Sequence, residues 1–407
     1  MKVVHLSTTD YGGAYKAAAR ISESMRQCGV DSELLIRTKT RADTVGTEIF
    51  TNPVQKLVSK MKNLINLILS EGEVVSDYLG TNVSRHPLVK EADVVVLHWV
   101  NSFISYKNVE QLIQTGKPLI WVMHDMWLFT GGCHIDHYCG GYEHGCGKCP
   151  YIKKKKLREK DISRRNVLRK RRMLEKGNIA IVAPSQWLAT CLIKSKMVGR
   201  NDIANIPNPI DTNIFKNQNC LCGKYPVKGN RKIILYGAMN LFGDTNKGGS
   251  FVIEAFKRLV NEDYSLVMFG DRPKDIKTEI LSHIHFLGFI SSDEQLAEIY
   301  NMADVVIMPS HQENYPNTIL EAAACQIPVV AFKVGGIPDI VRHKETGYLV
   351  DYANLEGLIE GIRYCAANKE ALGKRARQCI EETNGYAIIG SEYKEIAQRC
   401  VGKNEGK

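Results

Sequence analysis

Short apolar runs rich in Val and Ile recur along the chain, each closed off by turn residues. KVVHLS, SELLIR, DVVVLHW, PLIWVMH and IAIVAPS form a first series, and KIILYGA, YSLVMFGD, HIHFLGF, DVVIMPS, IPVVAFK and GYLV a second. Segments of helix length lie between them. Buried β-branched strands that alternate with helices predict parallel sheets. Two such series predict an α/β chain of two doubly wound, Rossmann-like domains. The prolines of IPNPIDTNIF disfavour helix, so the linker is placed near residues 205–211. Open α/β sheets bind ligands outside the carboxyl ends of their strands. A cleft between the two sheets is therefore the expected site.

Two further segments stand out in the pattern. Between Pro53 and Ser70, Val58, Met61, Leu64, Ile65 and Ile68 recur at helical spacing, which predicts an amphipathic helix packed on the core. Contact with a lipid-linked molecule is the alternative. The last five residues, KNEGK, read as a disordered tail.

Composition is that of a globular protein, with 44% hydrophobic and 24% charged residues. No apolar run approaches the ~18–20 residues that span a bilayer. The first strand is too short for a secretory leader, so a cytoplasmic protein is expected. The 12 cysteines should then be thiols or metal ligands, not disulfides. The net charge is +10, and the stretch 153–176 alone, with 13 Lys/Arg and 3 Asp/Glu, accounts for it. That stretch fits an anionic membrane surface on the inner face, or a solvated helix face. Nothing around it resembles a nucleic-acid-binding signature, so nucleic acid is not an expected partner.

Three segments carry candidate chemistry. Gly12 and Gly13 follow the first strand and precede a helix, where backbone can approach an anion. Lys247, flanked by Gly248 and Gly249, stands at a loop-to-helix junction within reach of a phosphate. Neither segment has dinucleotide or P-loop spacing. The third is ENYPNTILE, residues 313–321. Glu313 falls in the loop after a strand, and Pro316 and Asn317 suit a helix start. Glu321 falls about one turn inside. The first helical amides, at Asn317 and Thr318, are positive and unpaired by the helix itself. Two hydroxyl acceptors thus flank an anion hole, a pattern that suits a sugar joined through a diphosphate to a ribose.

With these motifs in order, the chain resembles the retaining glycosyltransferases of family 4, with the GT-B fold. The resemblance spans nearly the whole chain. It rests on ENYPNTILEA followed by PVVAFKVGGIPDIVRHKETGYLV, and on the first glycine turn, HD at 124–125, SQWLA at 185–189, PNPID at 207–211, KGG at 247–249 and FGD at 269–271. It implies that Glu321 holds ribose hydroxyls and that Glu313 contacts the donor sugar. Lys247 and the amides around Asn317 and Thr318 would hold the diphosphate, and Asn314 and Tyr315 would also bind the donor. Gly13 would approach the donor phosphate, His124 would line the sugar pocket, and Gly270 would border the nucleotide. Residues 1–206 would form the acceptor-side domain and 207–385 the nucleotide-sugar domain. A helix from about 386 onward would cross back to the first domain.

The implied activity is transfer of a hexose from a UDP- or GDP-sugar to a polysaccharide or lipid-linked glycan. It needs no metal for catalysis. A nucleotide-sugar epimerase, or a non-catalytic nucleotide-sugar or metal-dependent binding protein, is the alternative. One departure concerns Gly237-Ala238, where the family usually has Gly-Arg. Arg272 and Arg342 are candidates to replace that charge.

Finally, Cys133, Cys139, Cys146 and Cys149 fall within the 17 residues CHIDHYCGGYEHGCGKC, interleaved with His134, His137 and His144. This density predicts a structural zinc site in an insertion at 131–150. An iron–sulfur cluster, two disulfides or free thiols are the other readings.

Overall fold

The computed structural model describes all residues except 43, 51, 71–73, 153–160, 178, 199–202, 219–230, 272–278, 291 and 406–407. The chain divides into two units. One comprises Met1–Pro209 and Tyr386–Lys407, the other Ile210–Gly385.

In the first unit the strands are β1 (Lys2–Thr9), β2 (Asp31–Thr38), β3 (Thr47–Glu48), β4 (Val94–Leu97), β5 (Leu119–Val122), β6 (Ile179–Ala183) and β7 (Ile203–Asn205). They form one sheet in the order β3-β2-β1-β4-β5-β6-β7, and every pairing is parallel. Its helices are α1 (Gly12–Gln27), α2 (Pro53–Leu69), α3 (Pro87–Glu91), α4 (Tyr106–Ile113), α5 (Ile162–Lys176) and α6 (Gln186–Lys194). Polar caps start several of them: Asp161 accepts from the amides of Ser163 and Arg164 at α5, and Ser185 accepts from Leu188 at α6.

In the second unit β8 (Lys232–Asn240), β9 (Tyr264–Asp271), β10 (Ile284–Phe286), β11 (Val305–Met308), β12 (Val329–Phe332) and β13 (Gly347–Val350) form a parallel sheet. Its order is β10-β9-β8-β11-β12-β13. Helices α7 (Gly249–Leu259), α8 (Asp293–Met302), α9 (Asn317–Ala324), α10 (Leu355–Ala367) and α11 (Lys369–Asn384) complete it. Both units are thus doubly wound, and the sheet order reverses between β1 and β4 and between β8 and β11. Those reversals are where such sheets bind ligands.

The last helix, α12 (Tyr386–Glu405), belongs to the first unit. Ile389, Tyr393, Ile396 and Ala397 share a buried cluster with Val3, Ile21, Met25 and Val94. Gly390 lets it lie against α1, since a Cβ there would stand 2.1 Å from the Ser24 carbonyl oxygen. Tyr393 is fully buried, so this helix is core structure.

Two sequence expectations are corrected. Helix α2 is not a core helix: only Ser59 and Asn66 are buried on it, and its apolar side chains are exposed. Its polar side makes the contacts instead. Asn66 bonds both the amide and the carbonyl of Leu79, and Lys62 Nζ donates to the Gly80 carbonyl. Nor does the tail begin at Lys403, because α12 continues to Glu405. No glycine or proline interrupts it between Lys403 and Glu405. Residues 406–407 lie outside the described residues.

Candidate functional site

Lys247 and Glu313 meet in the second unit. Lys247 ends a single helical turn, Thr245–Lys247, that follows β8. Its Nζ stands 2.7 Å from Glu313 Oε1, in the loop after β11. The Glu313 carboxylate raises the pKa of Lys247 despite burial, so the cation persists at neutral pH. The two loops are stitched at the backbone: the His311 amide donates to the Asn246 carbonyl, and Asn246 Nδ2 to the Gln312 carbonyl. Gly248 lies at φ +69° with Pro309 beneath it, so a Cβ there would stand 2.0 Å from the Pro309 oxygen.

Glu313 is fixed from its other side by the Gly335-Gly336 turn. The Gly336 amide donates to the Glu313 carbonyl at 2.9 Å. Gly335, at φ +54°, would place a Cβ 1.9 Å from that same oxygen.

Helix α9 begins at Asn317, immediately after Pro316, with no acidic residue in its first turn. Its first amides therefore face outward at a positive helix end. Glu321 lies one turn inside and is buried, its Oε2 accepting from the Tyr300 hydroxyl at 3.0 Å. Burial and the Glu321 charge push the Tyr300 pKa well up, so the phenol stays a donor. Thr318 also bonds that hydroxyl. Gly270, the next-to-last residue of β9, lies at φ +128°, where a Cβ would meet the Ala238 oxygen at 1.7 Å, and its amide donates to the Gly288 carbonyl.

Not every predicted residue faces this cluster. Tyr315 is buried, and its hydroxyl accepts from Asn384 Nδ2 at the end of α11, so it braces the loop from the core. Asn314 is half-buried in the loop. Of the replacements for the missing arginine, Arg342 is paired with Glu345 at 3.3 Å, and Arg272 lies outside the described residues.

In the first unit, Gly12 at φ +87° opens α1, with Gly13 next along it. Asp10 before them pins the 40–44 loop by accepting from Thr40, Arg41 and Thr44. His124 follows β5 and ends a row of three imidazoles, in which His5 and His98 are buried and His124 half-buried. His5 Nδ1 lies 2.9 Å from His98 Nε2, and His98 Nδ1 lies 3.0 Å from His124 Nε2. The rings stack at 5.2 and 5.3 Å. Burial lowers the pKa of His5 to about 3, that of His124 to about 4, and that of His98 as well. The row is neutral at physiological pH. A cavity of about 10 Å³ adjoins His98, His124 and Asp125, room for about one water. His5 and His98 were not singled out from the sequence, where they read as strand positions.

Asp125 is bonded to His134 at 2.6 Å. Burial opposes its ionisation, but His134 outweighs this and keeps the carboxyl below its usual range.

The cysteine insertion folds against the start of α5. The Cys149 amide donates to the α5 cap Asp161 at 2.7 Å, and the Gly147 amide to Ser163 Oγ. All ten described cysteines carry free thiols. Among the described residues, no three His, Cys, Asp or Glu side chains stand at metal-ligating geometry. Cys139 and Cys146 nevertheless face each other across Gly141, whose Cβ position is 3.6 and 3.8 Å from their sulfurs. Lys170 of α5 is fully buried nearby, donating to the Trp127 and Thr130 carbonyls. Other α5 cations have partners too: Arg169 stacks on Tyr78, and Lys176 pairs with Glu110. Residues 153–160 of the basic stretch, Cys220 and Cys222 lie outside the described residues.

Residues 230–368 match the family model described as "Glycosyl transferases group 1". The matched residues lie within the second unit. The chain is similar to an N-acetyl-alpha-D-glucosaminyl L-malate synthase of Bacillus anthracis, at 27% identity over 205 residues, 48% of this chain and 53% of that protein. It is similar to the putative colanic acid biosynthesis glycosyl transferase WcaC of Escherichia coli K12, at 26% identity over 60% of each chain. The chain spans 53–63% of the length of three such relatives. Among solved structures, sucrose-phosphate synthase of Thermosynechococcus elongatus superposes with a TM-score of 0.71 at 15% identity, covering 99% of this chain and 100% of that one. Anabaena HepE, solved with UDP and glucose, gives 0.68 at 17% identity, covering 98% and 99%. These superpositions show the GT-B fold.

Proposed function

We propose that this protein is a retaining hexosyltransferase. It takes a hexose from a nucleoside-diphosphate sugar and passes it to a polysaccharide or lipid-linked glycan in cell-surface polysaccharide biosynthesis. The observation that carries this reading is the grouping of Lys247, Glu313, the start of α9 and Glu321 beside the β8–β11 reversal. The relatives named for glycan synthesis, and the structures named for UDP, support it. Lys247 and the first α9 amides would take the leaving diphosphate. Positive groups there lower the barrier as the anomeric carbon gains positive charge, each worth roughly 3–4 kcal/mol. Buried Glu321, held by Tyr300, would accept from ribose hydroxyls, and Glu313 would meet the donor sugar. Gly13 and His124 take their donor-binding roles from the family resemblance alone.

The test is transfer from radiolabelled UDP- and GDP-sugars to glycan or lipid-linked acceptors, with thermal shift by the free nucleotides. A ligand at about 100 times its Kd stabilises by roughly 2.7 kcal/mol. A shift with UDP or GDP that Glu321→Ala abolishes supports the reading. Turnover of the nucleotide sugar without acceptor would indicate an epimerase. No shift and no transfer would overturn both.

We also propose that Cys133, Cys139, Cys146 and Cys149 hold one structural zinc ion. Backbone amides already point at three of the sulfurs: Gly141 at Cys139, Gly131 at Cys146 and Tyr151 at Cys149. Amide donors stabilise thiolate over thiol. Buried Lys170 would offset the negative charge of a tetrathiolate.

A further inference from the structure

Helix α2 is built inside out. Its polar residues Ser59, Lys62, Asn63 and Asn66 form the stripe that faces the protein, all buried or half-buried. They recur at i, i+3, i+4 and i+7, one face of a helix. The opposite side is apolar and exposed. Leu57 is 60% exposed, Met61 58%, Leu64 59% and Ile68 70%. Nine of the 21 exposed large hydrophobic side chains among the described residues lie on this one helix. Burying a leucine-sized side chain is favourable by about 1.5–3 kcal/mol, so such a face implies an occupant.

The charges decide which occupant. Helix α2 carries Lys56, Lys60 and Lys62 and no acidic residue. At 100° per residue, Leu64, Leu57, Ile68, Met61, Ile65 and Val58 fall within an arc of about 120°. Lys60 and Lys56 border that arc on one side and Lys62 on the other. Lys60 is exposed, while Lys56 reaches Glu48 and Lys62 the Gly80 carbonyl. An apolar arc edged by lysines fits a helix lying in the plane of a bilayer, with its leucines among acyl chains and its ammonium groups at anionic headgroups. An apolar protein groove would give Lys60 no anion, whereas Lys56 and Lys62 are already engaged. Moreover, α2 is attached through hydrogen bonds to residues 79–80, so most of its apolar side is left to the occupant.

We propose that α2 is an in-plane anchor that seats this protein on an anionic lipid bilayer. This assignment does not depend on the transfer reaction. It places the membrane contact on the exposed apolar arc of α2, which α5 lacks.

The experiment is flotation of the purified chain with phosphatidylglycerol–phosphatidylethanolamine vesicles and, separately, with phosphatidylcholine vesicles. The wild type should float with the anionic vesicles. Leu64→Asp/Ile68→Asp should lose at least about tenfold in partition. Both positions are more than half exposed, so its melting temperature should be unchanged. Lys60→Glu, which leaves the apolar arc whole, should lose roughly fivefold on anionic vesicles. Failure of the wild type to float overturns the proposal, as do equal partition into phosphatidylcholine and equal binding by the double variant. A wild-type dimer that the double variant dissociates, with no flotation, would assign the face to a second copy and also overturn it.

Discussion

Lys247 Nζ and Glu313 Oε1 stand 2.7 Å apart, so each neutralises the other when no donor is bound. On the proposed function, an incoming diphosphate would compete with Glu313 for the ammonium. The two residues should therefore respond differently to substitution. Lys247→Ala should lower kcat/KM by about 10²–10³-fold and weaken nucleotide binding, since one phosphate donor is gone. Glu313→Gln should lower transfer comparably yet bind UDP or GDP at least as tightly, because the competing anion has been removed. Calorimetry of nucleotide binding beside steady-state transfer separates the two. Parallel losses of affinity in both variants would contradict the arrangement.

Tyr300 acts on the proposed ribose acceptor through a single hydrogen bond to Glu321. Tyr300→Phe keeps the ring in its buried place and removes only the hydroxyl. Loss of a hydrogen bond to a charged group costs about 1.5–3 kcal/mol. Nucleotide affinity should fall by roughly tenfold or more, with kcat at saturating donor little changed. A fall in kcat alone, at unchanged KM, would show that Tyr300 does not work through Glu321.

The two sheets were legible because buried parallel strands write themselves as apolar runs with turn residues between. ENYPNTILE was legible because proline and a following helix former fix Glu313 and Glu321 on opposite sides of a helix start. The histidine row was not. His5 and His98 each sit inside an apolar run, and only the pairing of β1 with β4 puts them side by side. Helix α2 shows the converse. Periodicity identified its apolar face correctly, yet a periodic pattern does not say whether that face meets the core or the outside. The buried Asn66 decides that, through its two bonds to Leu79 on the next segment of chain. The bracing contact of the Tyr315 side chain was not legible for a similar reason: its partner, Asn384, comes from the last helix of the unit.

The Gly335 turn holds Glu313 by backbone alone. Gly335→Ala would bring a methyl group within 1.9 Å of the Glu313 oxygen at a φ of +54°. A non-glycine residue in a strained backbone region costs about 1–3 kcal/mol. The variant should melt lower and lose transfer through displacement of Glu313, while Gly29→Ala, where a Cβ meets nothing within 4 Å, should lose little transfer. Full activity in Gly335→Ala would show that the turn does not position Glu313.

Purified protein should contain about one zinc per chain by elemental analysis if the four cysteines ligate it. Cys139→Ser and Cys149→Ser should each release the metal and lower the melting temperature. Without a cation, burial holds these thiols up, at about 12 for Cys133 and about 11 for Cys146, so they would react slowly with thiol reagents. No zinc, or zinc retained in both variants, would remove the metal from the insertion.

The histidine row makes stability depend on pH in a definite direction. Free imidazole titrates near 6.5. In the folded chain burial lowers the pKa of His5 to about 3 and that of His124 to about 4, with His98 also lowered. Between those values the unfolded state binds protons that the folded state refuses. Stability is therefore full above about pH 6.5 and is lost as the pH falls towards 4. Each such histidine contributes a slope of up to about 1.4 kcal/mol per pH unit. Thermal unfolding followed from pH 7.5 to 4.5 should show this decline. His5→Gln removes one of the three ionisable groups, so its curve should fall less steeply, even if its melting temperature at pH 7.5 is lower. A variant curve parallel to the wild type would mean that His5 is not held neutral by the fold, and that acidic groups elsewhere set the acid limit.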